Sequence, residues 1–81
     1  MAVTVRLFAA ARSAAGTDSC TADPATLDAI TTELTARFPA LALVLPRCSF
    51  LVNGTAVHGD HTQVAIAEGD ELDVLPPFAG G

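Results

Sequence analysis

At 81 residues and 8.2 kDa the chain has room for one small domain and no second one. It is 51% hydrophobic and 16% charged, a composition that folds rather than stays disordered. Nine acidic residues against four arginines and no lysine give a net charge of −5, which argues against nucleic acid or an anionic membrane as a partner.

Residues Val3 to Phe8 alternate, with Val3, Val5 and Leu7 on one side and Thr4, Arg6 and Phe8 on the other. That period of two predicts a half-buried strand. A run of small residues, Ala9 to Ala15, is closed by Gly16, and Asp18 to Ala22 fits a second short strand. Their nearness predicts a hairpin with a wide loop. Asp23-Pro24-Ala25-Thr26 is a helix-start signal in which Asp23 or Thr26 can cap exposed N–H groups. Leu27, Ile30, Leu34 and Phe38 then recur at helical spacing, a single apolar stripe about three turns long, and Pro39 stops it.

Ala40 to Leu45 is short and apolar and predicts a turn of helix plugging the open end of the core. Cys48 to Val52 reads as a third strand, Asn53-Gly54 as a tight turn and Thr55 to Val57 as the returning strand. His58 to Thr62 reads as a loop with two solvated histidines, and Val64 and Ile66 return to the core. Glu71 to Leu75 alternates again, with Leu72 and Val74 inward and Glu71, Asp73 and Leu75 outward. The order β-β-α-β-β-β predicts an α+β domain, a mixed four- to five-stranded sheet packed on one main helix. If the first and last strands pair in parallel, Phe8 and Leu75 share the face opposite the helix, an uncovered apolar patch of the kind that meets partners.

Cys20 and Cys48 lack CxxC spacing and read as half-buried thiols in a reducing cytoplasm. No apolar stretch approaches the ~20 residues of a membrane span, and the N-terminus lacks a secretory layout. The ending, Pro76-Pro77-Phe78-Ala79-Gly80-Gly81, is the sharpest feature. The prolines end the sheet. A terminal Gly-Gly arises by chance in about one chain in 200. Glycines can thread a channel that any Cβ would block, delivering a carboxylate to another protein's active site. That carboxylate is ionised and unreactive until an oxygen becomes a leaving group, as on the α-phosphate of ATP. The chain has no P-loop and no catalytic dyad, so the activating site must lie elsewhere.

V-x-V-x-L-F-A-A-A-R followed by G-T, a capped helix, V-N-G, G-D-E-L and P-P-F-A-G-G resembles the MoaD family, the small sulfur-carrier subunits of molybdopterin synthase. The resemblance runs over nearly the whole chain. It implies a ubiquitin-like β-grasp fold over residues 1–76 and a flexible Gly-Gly tail over 77–81. It further implies that a MoeB/ThiF-like enzyme adenylates Gly81 with ATP and that a sulfur donor makes the thiocarboxylate. The tail then enters a MoaE-like large subunit, where the sulfur reaches a cyclic pyranopterin precursor. The resemblance also implies that no cofactor is bound and that the chain is not catalytic alone. By family position Phe8, Arg12, Leu75, Pro76, Pro77, Phe78, Ala79 and Gly80 are the partner-binding residues. The stretch His58 to Gln63 is longer than is usual in the family. Alternatives are a ThiS-like carrier for thiamin or cysteine synthesis, or a ubiquitin-like binding module or modifier.

Overall fold

The computed structural model describes residues 2–77. Its main sheet has five strands in the order β2-β1-β5-β3-β4, where β1 is Val3–Leu7, β2 Ser19–Ala22, β3 Ser49–Val52, β4 Thr55–Ala56 and β5 Glu71–Leu75. The first and last strands pair in parallel at the centre, Val5 opposite Leu72 and Leu7 opposite Val74; the other ladders are antiparallel. A separate two-stranded ribbon joins Ala25–Thr26 to Ala65–Ile66. The strand that ends in the tail thus lies between β1 and β3.

The helical stripe forms as expected. Helix α2, Leu27–Arg37, buries Leu27, Ile30 and Leu34 against the sheet, and Phe38 packs half-buried at its end. Thr26, not Asp23, is the cap: its hydroxyl accepts from the Ala29 N–H at 3.2 Å. Val3, Val5, Leu7, Leu72 and Val74 meet α2 from the sheet, all at most 1% exposed. Ala40 to Leu45 does plug the core, as two 3-10 turns, Pro39–Leu43 and Leu45–Arg47, whose Leu41 and Leu45 point inward.

Several local expectations change. The small-residue run between the first two strands is not a loop but helix α1, Ala9–Ala15. Alanine is the strongest helix former, and Gly16 closes the helix at φ 74°, its N–H donating to the Arg12 carbonyl. The entry is abrupt: Ala9 has φ 51°, a left-handed conformation uncommon for a residue with a Cβ. Asp73 faces outward by alternation yet is only 7% exposed, because Arg6 on the neighbouring strand lies over it. His61 is not a solvated loop histidine. Asp60 caps a 3-10 turn, His61–Gln63, accepting from the Thr62 N–H at 2.9 Å and hydroxyl at 2.7 Å. His61 is half-buried, its ring edge-on to Phe50 with centroids 5.3 Å apart. Asn53-Gly54 is the tight turn expected, with φ of 51° and 83°, and the returning strand stops at Ala56, before Val57.

Candidate functional site

The site is the end of the sheet from which the tail departs. Because β1 and β5 run parallel, their C-terminal ends lie side by side, and the N-terminal end of β3 joins them through the pairing of Ser49 with Leu75. Phe8 stays extended (φ −127°, ψ 152°) before the turn into α1, so its side chain keeps the outward direction of Thr4 and Arg6. Its N–H donates to the Val74 carbonyl at 3.1 Å, fastening it beside the last turn of β5. Phe8 is 36% exposed, Leu75 is half-buried, and Pro76 and Pro77 are exposed. The fold therefore brings together four of the expected partner-binding residues. Phe78, Ala79, Gly80 and Gly81 lie outside the described residues.

The outer face has an ionic centre with an apolar rim. Arg6 grips Asp73 with two bonds, Nε to Oδ1 at 2.7 Å and Nη2 to Oδ2 at 2.8 Å. The carboxylate, by hydrogen bond and charge, raises the arginine's pKa above its ordinary value, so the guanidinium is permanently charged. It also stands 6.0 Å from the Phe8 ring centre, at the limit of a cation–π contact. Leu51, paired with both Asp73 and Ala56, carries the apolar surface to the far edge. A face of this kind keeps its charge satisfied internally while offering Phe8, Leu75 and Leu51 for burial.

On the other side of the tail base lies a groove of about 330 Å³. Phe8, Pro76 and Pro77 line it together with Leu43, Val44 and Arg47. Arg12 is exposed on α1, the helix whose Ala9–Ala11 also border this groove. Sequence reasoning missed Leu43 and Arg47. The trace in the sequence was a third leucine, Leu43, between Leu41 and Leu45; the two successive 3-10 turns bury the outer two and leave the middle one out. Cys48 lines the same groove, half-buried, and burial pushes its thiol above the usual cysteine pKa. A thiol so held stays protonated and is a poor nucleophile. The Cys20 thiol is raised by burial in the same way.

At the opposite end of β5, Asp70 accepts from the Asn53 side chain at 3.0 Å and from the Ala67 N–H at 2.8 Å. These bonds hold its carboxyl below the usual carboxylate range. Among the described residues no three ligating His, Cys, Asp or Glu side chains converge, and no helix is long and apolar enough to cross a membrane.

A sequence model of the ThiS family matches residues 5–81. The molybdopterin synthase sulfur carrier subunit of Chlamydomonas reinhardtii is 32% identical over 84 residues, covering all of both chains. Among solved structures, small archaeal modifier protein 1 of Methanosarcina acetivorans superposes with a TM-score of 0.84 at 28% identity, covering 99% of this chain and 96% of its own. The small archaeal modifier protein 1 of Haloferax volcanii superposes at 0.81, also with 28% identity, over all of both chains. The likeness places the fold with the ubiquitin-like β-grasp proteins.

Proposed function

The chain belongs to the ThiS family, and from that premise we propose that it is the sulfur-carrying subunit of a molybdopterin synthase. A carboxylate oxygen of Gly81 attacks the α-phosphorus of ATP in a MoeB/ThiF-like enzyme, releasing pyrophosphate. A sulfide-equivalent donor displaces AMP from the acyl-adenylate and leaves a thiocarboxylate. That sulfur is a soft anionic nucleophile on a narrow arm, and in a MoaE-like large subunit it attacks the pterin precursor. The chain itself contributes no catalytic group and acts as a protein co-substrate in the cytoplasm, free of nucleic acid and membrane.

One observation carries this reading: the central, parallel position of β5 sets the start of the tail, Pro76-Pro77, at the same end of the sheet as Phe8 and Leu75. Tail and docking face can then be engaged by one partner at one time. The likeness to a sulfur carrier subunit, complete over both chains, supports the choice of chemistry.

Intact mass tests it. Incubation with ATP, the activating enzyme and a sulfur donor is expected to exchange one terminal oxygen for sulfur. One residue added after Gly81 is expected to abolish that exchange while leaving the melting curve unchanged. An extended chain that still accepts sulfur would refute the assignment of Gly81.

The likeness to small archaeal modifier protein 1 favours a second reading, attachment of Gly81 to amines of other proteins. With no lysine, the chain offers only its N-terminal amine for linkage to itself. Isopeptide adducts on other proteins, with no sulfur delivered to a pterin, would select this reading over the first.

A further inference from the structure

The outer sheet face accounts for one side of the tail base; the groove between α1 and the 3-10 turns accounts for the other. Leu43 is 84% exposed, although Leu41 in the same 3-10 turn is fully buried and Leu45 in the next is only 6% exposed. It borders an apolar depression reached from Phe8 and Pro77, so the depression is continuous with the docking face.

Charge identifies what fits there. Of the four arginines, Arg6 is tied to Asp73 and Arg37 to Glu33 at 3.2 Å. Arg12 and Arg47 make no ion pair among the described residues. Both stand at the tail end of the sheet: α1 follows the end of β1, and Arg47 precedes the start of β3. Asp70 and Glu71 lie at the other end of β5, roughly 13 to 17 Å from Leu75 along the strand direction. Asp18 lies at this end too, its carbonyl accepting from the Leu7 N–H at 2.9 Å, but it does not border the groove, whose own charge in a chain of net −5 is that of Arg47. That matters most in the charging step, where an anionic carboxylate must approach the polyanion ATP on another protein. Rim charges orient such encounters and exclude wrong approaches.

We infer that the groove is a second docking site, which takes an apolar side chain flanked by carboxylates on the enzyme that activates the tail. The inference rests on the carrier reading. The activating enzyme therefore holds the tail base from both sides, Phe8 and Leu75 on one and Leu43 with Arg47 on the other, leaving only the residues beyond Pro77 to enter its site.

The test is ATP–pyrophosphate exchange by the activating enzyme as a function of carrier concentration, using the full chain. Leu43→Asp and Arg47→Glu change exposed side chains, and unchanged circular dichroism melts verify that both variants fold. Each is expected to raise the KM for the carrier about tenfold, as loss of an interface anchor does, with kcat within about twofold. The Arg47→Glu effect is expected to shrink as salt rises, and the Leu43→Asp effect to persist. Ala36→Glu, on the exposed face of α2, adds negative charge away from the groove and is expected to leave KM unchanged. No exchange with the unaltered chain would remove the carrier reading itself. Exchange with the unaltered chain and unchanged KM in both groove variants would overturn the groove alone. So would a lowered KM in Leu43→Asp matched by Phe78→Ala, since the occupant would then be the chain's own tail.

Discussion

Truncating Phe8 to alanine divides into two energies that the structure separates. A phenylalanine side chain carries ~200 Å². With 36% of it exposed, ~70 Å² remains to be covered by a partner and ~130 Å² is already covered by the fold. At ~25 cal/mol per Å² the first part corresponds to about 1.8 kcal/mol of binding, or about 20-fold in Kd. The second sets an upper limit of about 3 kcal/mol on lost folding stability, because the alanine Cβ and a partly collapsed denatured chain both reduce it. Leu7, one residue earlier, is 1% exposed and faces the core. Leu7→Ala is expected to cost ~2–5 kcal/mol of stability while removing no partner-accessible area. Calorimetric titration of the large subunit, well below both melting temperatures, reads binding per folded molecule. Phe8→Ala is expected to weaken it about 20-fold and Leu7→Ala to leave it unchanged. If Leu7→Ala weakened binding as much as Phe8→Ala, the strand would be one residue out of register with the face assigned to it, and the docking surface would be wrong.

Two further predictions concern the framework. Ala9→Gly relieves a left-handed backbone at the strand-to-helix turn and is expected to be neutral or to stabilise by up to ~1 kcal/mol, whereas Ala10→Gly, inside α1, is expected to cost ~0.5–1 kcal/mol in a denaturant melt. Equal losses from both substitutions would contradict the strain at Ala9. The Asp70 carboxyl is held low by Asn53 and the Ala67 N–H, so it adds stability above the ordinary carboxylate range that is lost as pH falls through its folded value. Asn53→Ala is expected to move the Asp70 titration upward in a carbon-detected NMR experiment and to start acid destabilisation at higher pH; an unmoved titration would show that Asn53 does not hold it.

The parts of the fold legible in the sequence were those carried by large apolar side chains at regular spacing. The Leu27, Ile30, Leu34 stripe and the Val3, Val5, Leu7 and Leu72, Val74 alternations fixed helix, strands and faces, and they placed Phe8 and Leu75 together because a period of two leaves no choice of side. Helix α1 was hidden because it buries only Ala11; with no bulky residue there is no stripe to read, and only alanine propensity and Gly16 announced it. Asp73 was set on the correct, outward face, but its burial was not legible because it depends on Arg6, 67 residues away in sequence, and long-range pairs leave no local pattern. His61 was read as solvated for a similar reason: its neighbour Phe50 lies on another strand. The far wall of the groove, Leu43 and Arg47, escaped notice because a 3-10 turn has neither of the two periods that sequence patterns expose most clearly.

The place of β5 has a kinetic meaning as well. The segment made last fills the middle of the sheet, so β1 waits for a neighbour from the far end of the chain. Closing that loop spends conformational entropy before the ladder returns any of it, which weighs against early formation of this pairing. Until it happens, Val5 and Leu7 lack their partners Leu72 and Val74, and nothing fixes Phe8 next to the proline pair. The same step that seals the interior also assembles the handle by which an activating enzyme would grasp the molecule. An immature or damaged copy ends in the same two glycines but lacks the handle, so on the carrier reading proposed above only the matured fold would be presented for charging.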